Sequence, residues 1–522
     1  MNRAACQSCQ ELVPASPQQR GNEIYLVKNC PSCGQTEALI SGNAERYMAK
    51  RALDGGFEHH VCLLNCLECR HRRQPTFVFV DVTNRCNLNC PICINNTPSM
   101  GFLFEPPMDY FEKLFQGLSE YSPRPPVQLF GGEPTVREDL FDIIALARSY
   151  GLAPRVVTNG LKLADLDYCR RLVSTRATIL IAYDGSNPST YRRLRANERS
   201  LALKQQALDN VRAAGGAKVA LMMCVGKDIN DNEMPQLLEF CHERRDYVRG
   251  VYFMPLAHTW DSSDFDFDPE RITGEDIEGA VNDCFPDAQL DFMPAGALAA
   301  MPTLMQRLGI KPPPFMGAHP NCESLYVLVS DGHGYRPIDE YLRTSLRAFI
   351  EDLFELDRRL ARRSNAGGRG TSGEAAPGTG LAGGHLSLRT VLSLLPILRR
   401  HVSLSRALKG SGVLRAWHAA ALLAGLVLGR KTRVLLQRHT NMHEALQLIV
   451  LPFEDKHALE TDRLERCPNA FAFFDPDEGQ VKTVPVCAWG RHKANVMRGI
   501  ADYYAAAERS KSGPGTQKAA LA

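Results

Sequence analysis

Three cysteines, Cys86, Cys90 and Cys93, stand in VFVDVTNRCNLNCPICINN with three and then two residues between them. Thiolates so closely set are soft ligands for zinc or iron, and a reducing compartment leaves them free for that work. The opening residues MNRAACQSCQELVPA hold no apolar stretch resembling a secretory signal. A cytoplasmic chain is therefore expected, in which clustered cysteines serve as metal ligands and not as disulfides. The 17 cysteines fall into groups: Cys6 and Cys9, Cys30 and Cys33, the triad Cys62, Cys66 and Cys69, the triad at 86, 90 and 93, and the later Cys322, Cys467 and Cys487.

Cys6, Cys9, Cys30 and Cys33 form two C-x2-C knuckles whose sulfurs can close a tetrahedral site for zinc or a single iron. Closed four-thiolate sites mostly staple a fold, and a structural ribbon is expected here. The triad in CLLNCLEC repeats the three-then-two spacing but precedes a strand, so an auxiliary cluster is expected of it. Cys322 in HPNCES, with Cys467 and Cys487, supplies further ligands for one or two such clusters. Cys169, Cys224 and Cys241 lie in helix or strand patterns and are read as small core residues; Cys284 is left undecided.

These ligands need elements to hold them. FVFVDV, VQLF, RVVT, TILIA, KVALMMCV and VYFMP are short apolar, β-rich runs, alternating with helical segments such as MDYFEKLFQGLSEY and ALKQQALDNVRAAGG. That alternation predicts parallel βα units, and in a barrel of them the loops after the strands gather on one rim. The central triad, GGEPT, NG and DG all follow strands, so they are expected to meet there. Three thiolates on a four-iron cubane leave one iron without a protein ligand, open to a small chelating molecule.

CNLNCPIC resembles the C-x3-C-x2-C signature of the radical S-adenosylmethionine enzymes, and GGEPT resembles their glycine-rich turn after the second strand. The resemblance implies that Cys86, Cys90 and Cys93 hold a [4Fe-4S] cluster whose open iron binds S-adenosylmethionine. It further implies reductive cleavage to a 5′-deoxyadenosyl radical, which takes hydrogen from an unactivated C–H, and an electron donor such as flavodoxin or ferredoxin. Gly131 and Gly132 are expected to let the backbone approach the cofactor. Glu133 is expected to accept from its amino group, with Pro134 and Asn159 beside it; Asn159-Gly160 is equally a common turn dipeptide. The order of cysteine groups along the chain resembles a subgroup that includes the archaeal tetraether lipid synthase and the dihydropterin methyltransferases.

The expected fold is thus α/β, a partial (β/α)6 TIM-like barrel with an N-terminal four-cysteine metal ribbon and a C-terminal auxiliary iron-sulfur and helical region. The expected boundaries are a cysteine-rich region at 1–74, a core barrel at 75–300, a post-barrel segment at 301–363, a glycine-rich linker at 364–385, a basic helical segment at 386–450 and an auxiliary-cluster segment at 451–522. Hydrophobic residues at 44% and charged residues at 23% are ordinary for a folded soluble protein, and a net charge of +3 gives no sign of nucleic acid. From Leu386 to Thr440 there are Lys and Arg but no Asp or Glu, amid apolar residues. This stretch suits a helix lying on a membrane's inner face, or a helical cap with a solvated basic side. Its uninterrupted apolar run is too short to span a bilayer, which takes about 20 residues. Coupling of lipid alkyl chains is the leading expectation, with membrane lipid as substrate. Radical methylation of a pterin or other small molecule is the alternative, and a non-catalytic electron carrier is a third reading.

Overall fold

The computed structural model describes residues 2–54, 62–69, 74–95, 100–257, 269–310, 315–366 and 388–511. The glycine-rich linker, from 367 on, lies outside them. Four strands open the chain: Arg3–Ala5 (β1), Leu12–Arg20 (β2), Glu23–Cys30 (β3) and Gly34–Ser41 (β4), an antiparallel sheet in sequence order. The two cysteine knuckles lie at one end of this ribbon, in the turns after β1 and β3.

The parallel core follows as Phe77–Thr83 (β5), Pro126–Gly131 (β6), Ala153–Thr158 (β7), Thr178–Ala182 (β8), Val219–Val225 (β9) and Val248–Pro255 (β10), each paired with the next. Every residue of β5 is buried, as expected of a parallel strand covered on both faces. The crossover helix Met108–Ser119 turns Tyr110, Phe111, Leu114, Phe115 and Leu118 inward at helical spacing, which is why this amphipathic segment packs on the sheet.

The sheet does not stop at six parallel strands. Met293–Pro294 (β11), Ser324–Ser330 (β12), Tyr335–Pro337 (β13), Glu444–Val450 (β14), Asn469–Asp475 (β15) and Gln480–Pro485 (β16) join it, giving 12 strands. β14 runs parallel to β10 and β15 parallel to β5, so both edges of the barrel are extended by strands from the last fifth of the chain. The boundaries expected at 300 and 450 therefore cut through one sheet. An edge strand exposes unpaired backbone groups, and β14 and β15 satisfy them on either side. The thiols of Cys322, just before β12, and of Cys467 and Cys487, flanking β15 and β16, lie close enough to perturb one another. The sheet is therefore rolled until its two ends approach.

The ribbon is keyed onto the barrel by buried charge. Lys50, 5% exposed, reaches Glu275 and Glu278 at 2.7 Å each, and both carboxylates outweigh the cost of burial so that the ammonium keeps its proton. Lys28 donates to the carbonyls of Ala5 and His457. The basic stretch forms helices Leu388–His401, Leu404–Ala407, Gly412–Val427 and Thr432–His439, before the chain returns as β14. No helix among the described residues is long and apolar enough to cross a membrane.

Candidate active site

Cys86, Cys90 and Cys93 stand in the loop after β5 and line one cavity of about 160 Å³ together with Gly131, Gly132, Glu133 and Asn159. The rim that the sequence predicts is formed. Pro134 is buried just behind it, at the first position of a short turn capped by the Glu133 side chain, and does not line the cavity. Burial, with the negative groups of Glu133 and the other two cysteines, pushes the Cys86 thiol up to about 12; burial also raises Cys90. Thiolates set this close together need compensating positive charge, and a four-iron cluster would supply it. The donor set fits that group.

The glycines also answer a need other than the one expected. A Cβ on Gly131, where φ is +127°, would sit 2.3 Å from the carbonyl oxygen of Thr83, and one on Gly132 would sit 2.1 Å from that of Arg85. The space is filled by the β5 loop itself, so these glycines let the β6 turn and the cysteine loop approach each other. Gly132 N donates to Thr83 O at 2.7 Å and Glu133 N to Arg85 O at 2.8 Å, continuing the ladder past the strand ends. Glu133 is similarly occupied. Its carboxylate accepts from Thr135 N and Oγ1, from Thr158 Oγ1 at 2.7 Å and from Asn159 N at 2.6 Å. The expected acceptor of the cofactor's amino group also clamps two rim turns, with Oε2 accepting from Asn159 N alone. Asn159 completes the tie, donating from Nδ2 to Asn87 in the cysteine loop at 2.7 Å.

Sequence reasoning missed the charged floor of this cavity. Asp184, in the DG after β8, is wholly buried and takes Arg195 in a two-pronged pair at 2.7 and 2.8 Å. Burial alone would raise the Asp184 carboxyl; the Arg195 charge overcomes it and holds the group below its usual range. Arg195 lines the cavity and its charge reaches Cys90. Lys204 donates to the carbonyls of Asn159 and Ala182, and burial next to Arg195 lowers its ammonium to about 8. No local spacing joins residues 184, 195 and 204; only DG as a rim turn was visible. Cys169 and Cys241 are core residues as expected, whereas buried Cys224 also forms part of the cavity wall. Cys284 is half-buried and donates to the Ala280 carbonyl within its own turn.

Cys6, Cys9, Cys30 and Cys33 bring their sulfurs within 4.8 Å of one another, as a single-ion site requires. Backbone N–H groups of Cys9 and Ser8 pull the Cys6 thiol down to about 6, which favours a thiolate ligand. Elsewhere Cys322, Cys467 and Cys487 gather around Arg463 and Glu454, and burial pushes Cys322 up to about 12. Cys62 feels Glu454 as well, and its N–H donates to Glu465 at 3.1 Å. The first triad therefore starts beside the later cysteines.

Next to the cofactor-sized cavity, the barrel interior holds another of about 270 Å³, lined from β5 through β10, β12 and β14. The two share Ile94, Phe130, Met222, Met254 and Phe453 as a common wall. Its surface is mainly aromatic and aliphatic, yet Arg155 of β7 and Glu323 face into it.

Residues 80–241 match the model of the Radical SAM superfamily, and residues 2–42 match the HMPTM N-terminal zinc ribbon domain. The 7,8-dihydro-6-hydroxymethylpterin dimethyltransferase of Methanocaldococcus jannaschii is 31% identical over 366 residues, covering 67% of this chain and 72% of its own. The GTP 3′,8-cyclase of Marinobacter nauticus is 25% identical over 215 residues, covering 41% of this chain; the match spans 63% of the cyclase, less than two thirds. Among solved structures, Streptococcus suis SuiB bound to S-adenosylmethionine superposes with a TM-score of 0.33 at 14% identity, over 41% of this chain and 47% of that one.

Proposed function

We propose that this chain, which belongs to the radical S-adenosylmethionine superfamily, methylates a carbon of a small flat heterocycle of the pterin class held in the barrel interior. A [4Fe-4S] cluster bound at Cys86, Cys90 and Cys93 would supply the electron that splits one S-adenosylmethionine into methionine and a 5′-deoxyadenosyl radical. The substrate carbon that loses hydrogen to that radical takes the methyl of a second S-adenosylmethionine, which leaves as S-adenosylhomocysteine with a second electron from the reductant. The chain's own residues then govern where that radical acts. Glu133 and Asn159 fix the rim turns against the cysteine loop, and Asp184 aims Arg195 at the cavity floor. Phe130, Met222, Met254 and Phe453 divide the cofactor cavity from the inner one and keep water from the path between them.

The observation that carries the reading is the inner cavity's pair of buried, unmatched polar groups. Glu323 is 5% exposed and Arg155 stands in the same apolar chamber. A hydrocarbon tail would leave both facing an apolar ligand, at a cost that burial of unpaired polar groups always exacts. A polar aromatic ring satisfies them and fills the rest. The pterin named for the Methanocaldococcus relative has that chemistry, and the zinc ribbon match lends the same support.

The leading expectation from sequence, coupling of lipid chains, keeps one observation in its favour: the helix Gly412–Val427 buries only Gly425, leaving Val413, Leu414 and Trp417 exposed among bases. Anaerobic incubation with S-adenosylmethionine, a reductant, a dihydropterin and membrane lipid separates the two. Methylation predicts a pterin heavier by CH2 and absent with Cys86→Ala; lipid chains joined with loss of two hydrogens, and an unchanged pterin, would reverse the choice.

A further inference from the structure

One carboxyl oxygen in the inner cavity has no hydrogen-bond partner. Glu323 Oε2 is buried and receives no hydrogen bond, and Nε of Arg155 is likewise unmatched although its Nη2 donates to Tyr252 Oη at 3.3 Å. Buried polar atoms are nearly always paired, so an unpaired acceptor and an unpaired donor in one chamber point to a ligand that supplies the missing halves. The placement is rigid. Glu323 immediately precedes β12, and strand alternation sets it on the same face as Leu325 and Val327, which also line the cavity. Its own carbonyl is held by Ala295 N at 2.9 Å, and the neighbouring Ser324 hydroxyl is tied to Glu278 on the other face. The backbone that carries the carboxyl is thus held on both sides of the strand start.

We infer that Glu323 and Arg155 bind the edge of a heterocycle on which an exocyclic amino group, a ring N–H and a carbonyl oxygen stand in a row. This deepens the methylation reading above and rests on it. A carboxylate accepts two parallel N–H bonds from such an edge in the fork geometry it uses with arginine, and the guanidinium donates to the adjoining carbonyl. The remaining wall is suited to a flat ring: Phe79, Phe130, Tyr252 and Phe453 offer faces and Met222 and Met254 fill irregular space. A ligand gripped at this edge turns its opposite side towards Phe130 and Met254, the wall shared with the cofactor cavity. A ligand carboxylate would suit Arg155 but oppose Glu323, and an alkyl chain would serve neither.

The test is equilibrium binding to the anaerobically reconstituted full chain. The probes are 6-hydroxymethylpterin, its lumazine analogue carrying a carbonyl in place of the amino group, and guanosine. Wild type is expected to prefer pterin over lumazine by about tenfold or more, since the analogue sets oxygen against oxygen. Glu323→Gln removes that preference while lumazine still binds. Arg155→Met weakens both ligands alike and keeps the preference, because both carry the carbonyl. Guanosine bound in place of pterin, with the same dependence on Glu323, would support the edge and refute the pterin. An unchanged preference in Glu323→Gln, or none in wild type, would overturn the inference even if a pterin is methylated.

Discussion

A single methyl group at Gly132 would meet the Arg85 carbonyl oxygen at 2.1 Å. Gly132→Ala must push the β6 turn away from the cysteine loop. It is expected to lower stability by about 1–3 kcal/mol, the usual cost of overpacking, and to weaken S-adenosylmethionine binding; denaturation and calorimetry read the two effects. Unchanged binding would mean that the two loops move independently. At this scale the sequence was most legible where chemistry is local. The spacing at Cys86, Cys90 and Cys93 and the GGEPT turn are short-range patterns, and the cavity contains both. Arg195, Lys204 and Glu323 were invisible, and Asp184 was legible only as the DG of a rim turn, because each gains its meaning from a partner on another strand or helix. Glu133 was legible as a rim residue, but its task of tying two rim turns together was not, since only the fold brings Thr158 and Asn159 to its carboxylate.

Elements were legible in proportion to how regular their surroundings are. The six central strands lie within a few residues of their expected places because each is an apolar run bounded by polar turns. β14 and β15 escaped notice for a physical reason: they follow a basic helical stretch, far in sequence from the strands they pair with, and a lone apolar run does not say which sheet it will join. The helical stretch itself presents an unusual surface. Val413 is 88% exposed and Trp417 53%, in a region with no acidic side chain between Leu386 and Thr440. Such a face complements an anionic bilayer, at about 1 kcal/mol for each base near the surface. The protein is expected to sediment with phosphatidylglycerol vesicles and not with phosphatidylcholine vesicles at low salt, and Val413→Asp with Trp417→Asp should cut that binding about tenfold. Equal recovery of the variant with anionic vesicles would assign the face to something other than lipid.

At the scale of the whole molecule, the last strands of the chain close around the first ones, and the cysteine groups mark the joins. The ribbon's four sulfurs gather on one another, while Cys322, Cys467 and Cys487 lie where the two ends of the rolled sheet approach. A small cavity lined by Cys487, Trp489 and Lys493 also reaches Asn95 and Ile94 of the cysteine loop. Cys487 thus stands close to the loop of Cys86, Cys90 and Cys93, an arrangement that no count of cysteines could give. The central claim is that a carbon in the inner cavity yields its hydrogen to the cofactor's 5′ position. The most direct measurement is mass spectrometry of 5′-deoxyadenosine after anaerobic turnover with a dihydropterin deuterated at its carbon positions. Deuterium in the 5′-deoxyadenosine, absent with Cys86→Ala, is the predicted result; S-adenosylmethionine cleaved to 5′-deoxyadenosine with no deuterium, beside an unaltered pterin, would contradict it.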